Sequence, residues 1–467
     1  MYFDLIIIGS GPGGYVAAIR AAQLGLKIAI VEKENLGGVC LNWGCIPTKS
    51  LLKSATIFNS FKKASKYGMI TNNLKLDFKK IILRSRYLSD SMNKGVLFLM
   101  KKNKIKILYG EAKICKNKIV YVIDKYGNKK KYNALNIIIA TGAKYQILNT
   151  VKKNKLSTII GYREAMLLKY IPKNILIIGS GAIGLEFAYF YNSIGSKIFI
   201  IEKRPYVLPF SDIDISIQLE NSFKKYGIII LKSSIIKSIE YLDYIKCTKV
   251  IIKTNKNINK ILYVDIIISA IGICPNTENL GLEEIGITLN STKHICVDKY
   301  YSTNVKGYYA IGDVIPSISL AHVASYEGII CVEKITGLTP PPLDYNNVPM
   351  CIYSNPEISY LGFSEKEAIN KGYKLKIGKF PFTALGKAKL NDSTDGFIKV
   401  IIDDNSGELL GCHMIGSGVT ELISEIGVAR QLETTSFEFF KCIHPHPTIS
   451  ESIVEAITNA YNKCIHI

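Results

Sequence analysis

The chain of 467 residues contains no run of about 18 uncharged apolar residues, the length that a membrane-spanning helix needs. It also lacks a basic leader with a cleavage site, because Met1 runs directly into an apolar segment that contains Asp4. A polar excess is missing too, since hydrophobic residues make up 48% and charged residues 21% of the sequence. These absences argue against a membrane protein, a secreted protein and a disordered chain. We therefore expect a soluble, globular, cytoplasmic protein.

Cysteine spacing typical of a disulfide scaffold is absent as well. The 11 cysteines are odd in number and scattered, so we expect most of them to be reduced thiols packed as small apolar groups. One pair, Cys40 and Cys45, stands apart from the others.

Acidic residues are scarce relative to basic ones, with 38 Asp and Glu against 59 Lys and Arg and a net charge of +21. Such a balance can indicate a nucleic acid, an acidic lipid or an acidic protein as partner. Lysine is however scattered through every segment, often beside Asn, Ile and Tyr. We interpret the charge as general residue usage and expect neither a nucleic acid nor a membrane partner.

Short apolar runs rich in Ile and Val recur along the first 270 residues, close to Gly or acidic residues. They span residues 5–8, 28–31, 137–139, 175–178, 198–201 and 266–268. Continuous rather than alternating apolar character is typical of strands buried on both faces, as in a parallel sheet covered by helices. The sequence therefore predicts an α/β fold.

Two segments repeat one pattern of three glycines followed by a glutamate. The pattern has identical offsets in Gly9, Gly11, Gly14 and Glu32 and in Gly179, Gly181, Gly184 and Glu202. Each glycine triad follows an apolar run and opens a helical pattern, which is the context of a dinucleotide-binding unit. The glycines allow a pyrophosphate to approach a helix N-terminus, and the glutamate can accept hydrogen bonds from ribose hydroxyls. Two Rossmann-like units are predicted.

The pattern changes after the run of three prolines at 340–342. Segments 351–353, 397–402 and 409–415 are predicted to be antiparallel strands, with a turn between the last two. Helical periodicity follows at 419–432 and 451–461. We expect a separate C-terminal α+β domain.

Cys40 and Cys45 lie five residues apart, which in a regular helix would separate their Cα atoms by about 8 to 9 Å. A disulfide spans only about 4.4 to 6.8 Å, so a bonded pair requires the backbone to leave the helix, and Gly44 offers that freedom. A strained, accessible disulfide is of the catalytic kind. The alternative is two buried free cysteines, which the flanking Gly37-Gly38 and Pro47 disfavour.

The segment from Gly37 to Lys49 reads Gly-Gly-Val-Cys-Leu-Asn-Trp-Gly-Cys-Ile-Pro-Thr-Lys and resembles the redox motif of the pyridine nucleotide-disulfide oxidoreductases. Within that family it is most similar to the dihydrolipoyl dehydrogenases. The resemblance covers nearly the whole chain through the two glycine patterns and segments 140–142, 303–304, 309–313, 320–322 and 444–451. It implies an FAD-binding domain at 1–145 to which 276–345 returns, an NAD-binding domain at 146–275 and a C-terminal dimerisation domain at 346–467.

The resemblance also implies roles for individual residues. Those expected at FAD are Gly9, Gly11, Gly14, Glu32, Lys49, Ala112, Thr141, Gly142, Asp313 and Ala321, and those expected at NAD are Gly179, Gly181, Gly184, Glu202 and Gly272. Asp313 would bind the ribityl chain, and Lys49 would pair with Glu186 near the reactive flavin nitrogen. No metal site is expected.

His446 and Glu451 resemble the family's catalytic base and the carboxylate that orients it. The chemistry requires such a pair, because a thiol with a pKa of about 8.5 must lose its proton before it can attack a disulfide. His446 should lie in a turn before the helix that carries Glu451, and His444 is the more structural of the two histidines. In the family one subunit contributes the base to the cysteine pair of the other, which implies a homodimer.

The implied activity is the oxidation of dihydrolipoamide through a Cys40–Cys45 disulfide and FAD, with reduction of NAD. Its implied partner is the lipoyl-bearing acyltransferase of 2-oxo acid dehydrogenase complexes. Glu202 favours NAD because a carboxylate would repel the 2′-phosphate of NADP. Two alternatives stay open: another flavin disulfide reductase such as an NADPH-dependent glutathione reductase, and a basic nucleic-acid-binding or membrane-binding protein with a vestigial flavin fold.

Overall fold

Strands and helices alternate through the first third of the chain. The computed structural model describes residues 2–70, 72–148, 158–255 and 258–467. The elements of the first unit are β1 (Tyr2–Ile8), α1 (Pro12–Gln23), β2 (Ile28–Glu32), α2 (Gly38–Trp43), α3 (Cys45–Lys62), α4 (Phe78–Lys102), β3 (Lys106–Tyr109), β4 (Glu111–Cys115), β5 (Ile119–Ile123), β6 (Lys129–Ile139) and β7 (Ala143–Tyr145).

A second unit follows with a similar alternation. Its elements are β8 (Ile159–Ile160), α5 (Tyr162–Ala165), β9 (Asn174–Ile178), α6 (Ala182–Ser193), β10 (Lys197–Ile201), α7 (Ile213–Lys225), β11 (Ile229–Leu231), β12 (Ile235–Leu242), β13 (Cys247–Lys253), β14 (Asn259–Val264), β15 (Ile266–Ser269) and β16 (Ile273–Pro275). The chain then continues through α8 (Leu282–Ile285), β17 (Tyr308–Ala310) and α9 (Ala321–Ile335).

The C-terminal part changes character. Its elements are β18 (Met350–Ile352), β19 (Glu357–Gly362), α10 (Glu365–Asn370), β20 (Leu375–Pro381), α11 (Gly386–Leu390), β21 (Phe397–Asp403), β22 (Leu409–Gly416), α12 (Val419–Gln431), α13 (Ser436–Lys441) and α14 (Glu451–Asn459). No helix within the described ranges is both long enough and apolar enough to cross a membrane.

The first sheet has the order β3-β2-β1-β6-β5-β4, and β17 also pairs with β6. Strands β3, β2, β1, β6 and β17 run parallel, whereas β4, β5 and the start of β6 are antiparallel. The central residues Leu5–Ile8 are buried, as their continuous apolar character predicts. The predicted α/β fold is confirmed.

The second sheet repeats this topology. Its order β11-β10-β9-β15-β8 is parallel throughout, and β11-β10-β9-β15 corresponds to β3-β2-β1-β6 of the first sheet. Helix α1 follows the first glycine triad and α6 follows the second. The internal repeat in the sequence is therefore a repeat of the fold.

Two antiparallel features interrupt the parallel pattern. Strands β12, β13 and β14 form a three-stranded sheet within the described part of the second unit. Strand β16 pairs with β7, with Cys274 opposite Lys144, and so joins the end of the second unit to the end of the first. Neither was predicted from the sequence.

The C-terminal sheet is antiparallel, with the order β18-β19-β22-β21-β20. Helix α12 packs against β19 and β22, and α14 packs against β20 and β21. The predicted strands at 351–353, 397–402 and 409–415 correspond to β18, β21 and β22, and the two predicted helices correspond to α12 and α14. The α+β prediction for this region is confirmed.

Candidate active site

The two cysteines lie on different helices. Helix α2 ends at Trp43 and α3 begins at Cys45, because the backbone at Gly44 adopts φ −134° and ψ −113°, which is not helical. A Cβ atom at Gly44 would lie 3.1 Å from the carbonyl oxygen of Val39 and 3.3 Å from Cα of Cys40, so the turn has little room for a side chain. The prediction that the backbone leaves a regular helix between the cysteines is confirmed.

Cys40 and Cys45 are half-buried free thiols whose side chains hydrogen-bond each other. The hydrogen bond from Cys40 lowers the pKa of Cys45, and the charge of Lys49 acts in the same direction against the effect of burial. The same hydrogen bond and burial raise the pKa of Cys40. Cys45 is also the first residue of α3, where the helix dipole favours a thiolate. The pair is therefore asymmetric, with Cys45 as thiolate and Cys40 as donor.

Lys49 lies one helical turn beyond Cys45 and forms an ion pair with Glu186. Its Nζ lies 2.9 Å from both carboxylate oxygens of Glu186, which is a buried residue of α6. The backbone N–H of Tyr353 donates to Glu186 at 3.1 Å, and Nζ of Lys49 lies 4.7 Å from the centroid of the Tyr353 ring. Residues of all three units thus meet beside the cysteine pair.

The two glycine triads have the shape of phosphate cradles. A Cβ atom at Gly14 would overlap the carbonyl oxygen of Gly9, and a Cβ atom at Gly184 would overlap that of Gly179. Gly11, the N-cap residue of α1, has open space where its Cβ would be, and the same holds for Gly181 before α6. In each turn the third glycine is closely packed, whereas the second glycine, at the helix N-terminus, has open space beside it. This arrangement suits a pyrophosphate.

The glutamates that follow the triads make identical contacts. Glu32 Oε2 accepts from the backbone N–H of Ser10 at 3.1 Å and from its hydroxyl at 2.6 Å. Glu202 Oε2 accepts from the backbone N–H of Ser180 at 3.0 Å and from its hydroxyl at 2.7 Å. Neither serine was predicted from the sequence, although each directly follows the first glycine of its triad. These contacts hold each carboxylate beside its cradle, where spare lone pairs suit ribose hydroxyls.

Asp313 lies in a short 3-10 turn, Gly312–Val314, directly after β17. Burial, assisted by the negative charge of Glu327, raises the pKa of Asp313 to about 6. A partly buried acceptor of this kind fits the hydroxyl donors of a ribityl chain. Glu327 was also missed, and no pattern in a single sequence distinguishes it from a surface glutamate of a helix.

The remaining predicted cofactor residues lie at several other places in the chain. Thr141 donates from its hydroxyl to the carbonyl of Asn276 at 2.7 Å, and Asn276 N–H donates to the carbonyl of Gly142 at 2.9 Å. Gly272 has a positive φ of 122° just before β16. Ala112 is buried in β4 and Ala321 is the first residue of α9. Thr141 and Gly142 are thus tied to the segment by which the chain leaves the second unit.

His446 and Glu451 form an exposed pair at the start of α14. His446 Nδ1 lies 2.8 Å from Glu451 Oε1, and the backbone N–H of Thr448 donates to Glu451 Oε2 at 2.8 Å. Partial burial works to raise the pKa of Glu451, but the hydrogen bonds from His446 and Thr448 outweigh it and the net shift is downward. His444 instead has a buried side chain, with Nε2 at 2.8 Å from Glu425.

The structure thus brings Cys40, Cys45, Lys49 and Glu186 together, and His446 with Glu451 at another place. Among the residues that the structure describes, no hydrogen bond or ion pair of a single chain joins His446 to either cysteine. A His446 side chain that is 77% exposed is available to a second chain.

Comparison with known proteins gives consistent matches over the full length. The pyridine nucleotide-disulphide oxidoreductase family matches residues 3–328, and its dimerisation domain matches residues 348–457. Dihydrolipoyl dehydrogenases of Zymomonas mobilis and Bacillus subtilis are 44% and 41% identical to the chain, and each comparison covers at least 99% of both proteins. The crystal structure of LpdA from Mycobacterium tuberculosis superposes with a TM-score of 0.90 at 24% identity, covers 97% of this chain and 98% of that one, and has the same fold. The chain therefore belongs to the pyridine nucleotide-disulphide oxidoreductases, in the group of its dihydrolipoyl dehydrogenase relatives.

Proposed function

We propose that the chain is an FAD-dependent enzyme that oxidises protein-bound dihydrolipoamide to lipoamide and reduces NAD. The observation that carries this proposal is the asymmetric thiol pair, Cys40 and Cys45, beside the Lys49–Glu186 ion pair. A dithiol substrate needs a disulfide acceptor of this kind, and the two phosphate cradles supply places for two dinucleotides. The division into FAD, NAD and dimerisation domains expected from the sequence belongs to the same proposal.

The first half-reaction needs a base, an acceptor sulfur and a leaving thiolate. His446 Nε2 is free to take the proton from a substrate thiol, because Nδ1 is directed at Glu451. The substrate thiolate attacks Cys40 of the Cys40–Cys45 disulfide, and the Cys45 sulfur leaves as the thiolate. The second substrate thiol then attacks the substrate sulfur of the mixed disulfide and releases Cys40, so lipoamide is formed and both cysteines are reduced.

The second half-reaction returns the cysteine pair to the disulfide. Bound FAD supplies the transfer of two electrons from the cysteine pair to the nicotinamide. The chain stabilises the charge on Cys45 through the Cys40 hydrogen bond, the Lys49 ammonium and the N-terminus of α3. Glu186 in turn fixes Nζ of Lys49 with two contacts of 2.9 Å.

NAD rather than NADP fits the second cradle. Glu202 occupies the position of the ribose contact, and its other oxygen, Oε1, accepts from the backbone N–H of Arg204 at 2.8 Å. The carboxylate is held in place, so a 2′-phosphate would meet fixed negative charge. This geometry favours the proposed activity over an NADPH-dependent glutathione reductase.

We further propose that the active unit is a homodimer in which His446 serves the cysteine pair of the partner subunit. The dimerisation domain and the exposure of His446 support this arrangement. The lipoyl-bearing acyltransferase of a 2-oxo acid dehydrogenase complex is the proposed macromolecular partner, and the cytoplasm is the proposed location.

Purified protein tests the proposal directly. We expect a yellow protein whose reduction of NAD depends on dihydrolipoamide, with little turnover of NADPH and glutathione disulfide. The opposite preference would make the chain a glutathione reductase. A colourless protein that binds DNA at physiological salt would instead support the basic binding protein.

A further inference from the structure

Glu327 is a fully buried carboxylate to which the proposed mechanism gives no task. It lies on α9 with 0% of its surface exposed. Helix α9 packs closely on α1, since a Cβ atom at Gly328 would lie 2.7 Å from the carbonyl oxygen of Gly13. An ionisable group is rarely buried so deeply unless its contacts are specific.

Both oxygens of Glu327 have a defined partner. Oε2 accepts from the backbone N–H of Gly312 at 2.6 Å, and Oε1 accepts from the hydroxyl of Tyr345 at 2.8 Å. The Tyr345 hydroxyl lies 3.4 Å from that of Tyr301. Gly312 has a φ of +71°, so the turn after β17 adopts a conformation that other residues rarely take. Glu327 therefore anchors a turn whose next residue is Asp313.

The charge of Glu327 also acts on Asp313. Burial comes first and the charge of Glu327 second among the causes that raise the pKa of Asp313 to about 6. Burial raises the pKa of Glu327 as well. The other titratable groups around these two carboxylates are Tyr345, Tyr301, Cys331, Asp298 and Tyr162.

Those other groups carry little charge near neutral pH, apart from Asp298. Burial raises the pKa of Tyr345, Tyr301 and Cys331 and likewise that of Tyr162, so all four stay protonated. Asp298 acts on Cys331 rather than on Asp313. Glu327 is therefore the charge that Asp313 responds to.

We propose that Glu327 is a positioning residue for flavin binding, which holds the Gly312–Asp313 turn in shape and makes the grip of Asp313 on the ribityl chain sensitive to mild acid. The inference rests on the proposed function because it takes FAD as the ligand. An ionised Asp313 accepts a hydroxyl hydrogen bond better than a protonated one. FAD is therefore held most tightly above the pKa of Asp313 and more weakly as the pH falls through it.

Replacing Glu327 should weaken the pH dependence of FAD binding. Glu327→Gln removes a negative charge beside Asp313 and so lowers the pKa of that carboxyl, while the amide oxygen can still accept from Gly312. For the native protein, a pKa of about 6 makes the dissociation constant of FAD about fourfold larger at pH 5.5 than at pH 8. In the variant burial still raises the pKa of Asp313, so we expect a ratio that is clearly smaller than fourfold but still above one.

The experiment measures FAD released from the diluted holoprotein at both pH values, through the recovery of free flavin fluorescence. Glu333→Gln is the matched control, because Glu333 lies on the same helix and its carboxylate contacts Arg20 instead, at 3.0 Å from Nε. We expect the control to keep the native ratio. A native ratio in Glu327→Gln overturns the inference.

Tyr345→Phe gives a second route if Glu327→Gln does not fold. It removes the hydroxyl donor to Glu327, which raises the pKa of that carboxyl and reduces its charge near pH 5.5. We expect a ratio between those of the native protein and Glu327→Gln, and an unchanged ratio overturns the inference. Native protein that retains no FAD at any pH would overturn the proposed function instead.

Discussion

His446 Nδ1 lies 2.8 Å from the carboxylate of Glu451, and that contact leaves Nε2 of an exposed ring free to accept a proton. Two residues earlier, His444 has its own glutamate, Glu425, at 2.8 Å, but it uses Nε2 for the contact and its side chain is buried. Both are histidine–glutamate pairs, but the side chain of His446 is exposed and that of His444 is buried. They therefore form a natural comparison between a catalytic and a structural histidine.

His446→Gln should lose about 10²-fold to 10⁴-fold in dihydrolipoamide-dependent NAD reduction, the range expected for a general base. NADH-driven reduction of a dye should persist, because it does not require deprotonation of a substrate thiol. His444→Gln is the control and should keep most of both activities. Equal loss of both activities in His446→Gln would contradict the assigned role.

The asymmetry of the thiols predicts a pH-dependent spectrum. The hydrogen bond from Cys40 and the charge of Lys49 lower the pKa of Cys45 to about 7. On partial reduction, a long-wavelength band between a thiolate and flavin should therefore grow as the pH rises through about 7. Cys45→Ser should abolish the band and Cys40→Ser should retain it. Loss of the band in Cys40→Ser alone would reverse the roles of the two sulfurs.

Removing Lys49 should destabilise the fold as well as the chemistry. Lys49→Met leaves the carboxylate of Glu186, whose side chain is 5% exposed, with the Tyr353 N–H as its remaining partner. Because the lysine itself is partly exposed, we expect a loss of about 2 kcal/mol in the free energy of unfolding. The double variant Lys49→Met, Glu186→Leu should recover part of that stability and none of the activity. Recovery of activity would argue against an electrostatic role for the pair.

Glu202→Gln should relax the choice between NAD and NADP. The amide oxygen can still accept from Ser180, but the repulsion of a 2′-phosphate is lost. We expect the ratio of kcat/KM for NADP to that for NAD to rise by about tenfold, equivalent to about 1.4 kcal/mol. Glu240→Gln removes the same charge from an exposed position of β12 and should leave the ratio unchanged.

Lys399 should make stability depend on pH in the acid range. Its Nζ is buried between Asp212 at 2.9 Å, Asp214 at 3.1 Å and Glu365 at 2.7 Å, and so joins α7 to the C-terminal sheet. Burial opposes the ionisation of Asp212, but the hydrogen bond from Lys399 outweighs it and lowers the pKa of that carboxyl. Because the pKa of Asp212 is lower in the folded than in the unfolded protein, its contact with Lys399 stabilises the fold above about pH 4. This stabilisation is lost as the pH falls further.

Lys399→Met should therefore lower the free energy of unfolding by about 3 to 5 kcal/mol at pH 7, because it leaves Asp212 buried without a cation. The difference from the native protein should shrink as the pH falls below 4 and through the lowered pKa of Asp212, because protonation removes the buried charge. Urea unfolding of both proteins at pH 7 and at a pH below 4 measures this difference in the free energy of unfolding. Lys379→Met removes an exposed cation 3.3 Å from Asp214 and should change stability by less than about 1 kcal/mol.

The sequence predicted the parts of the molecule that depend on local geometry. The spacing of Cys40 and Cys45 required a break at Gly44, and the repeat of Gly9 and Glu32 required two similar sheets. Each of these follows from short-range steric limits that hold in any fold.

Features that depend on contacts between residues far apart in the chain were not predicted. The sequence predicted only residues 137–139 of β6 and missed 129–136. The first five of these, 129–133, are mostly lysine and pair with β5, so no apolar run marked them as strand. Lys399 looks like an ordinary lysine in the sequence, yet its partners Asp212 and Asp214 lie 187 and 185 residues earlier in the chain. Glu327 likewise acquires its surroundings only when α9 packs against the turn after β17. Tertiary contacts of this kind leave no period or motif in a single sequence.

Strand β17 bears on how the protein is synthesised. Tyr308–Ala310 pair with Ile137–Ile139, and the roughly 170 residues between them include the whole second unit. At about 5 to 20 residues per second, a ribosome needs roughly 10 to 30 s to produce that segment, during which half of β6 exposes an unpaired edge. The nascent second unit can complete its own parallel sheet in this interval. Translation that stops before Tyr308 should therefore release a chain whose second unit can fold but whose first sheet lacks β17.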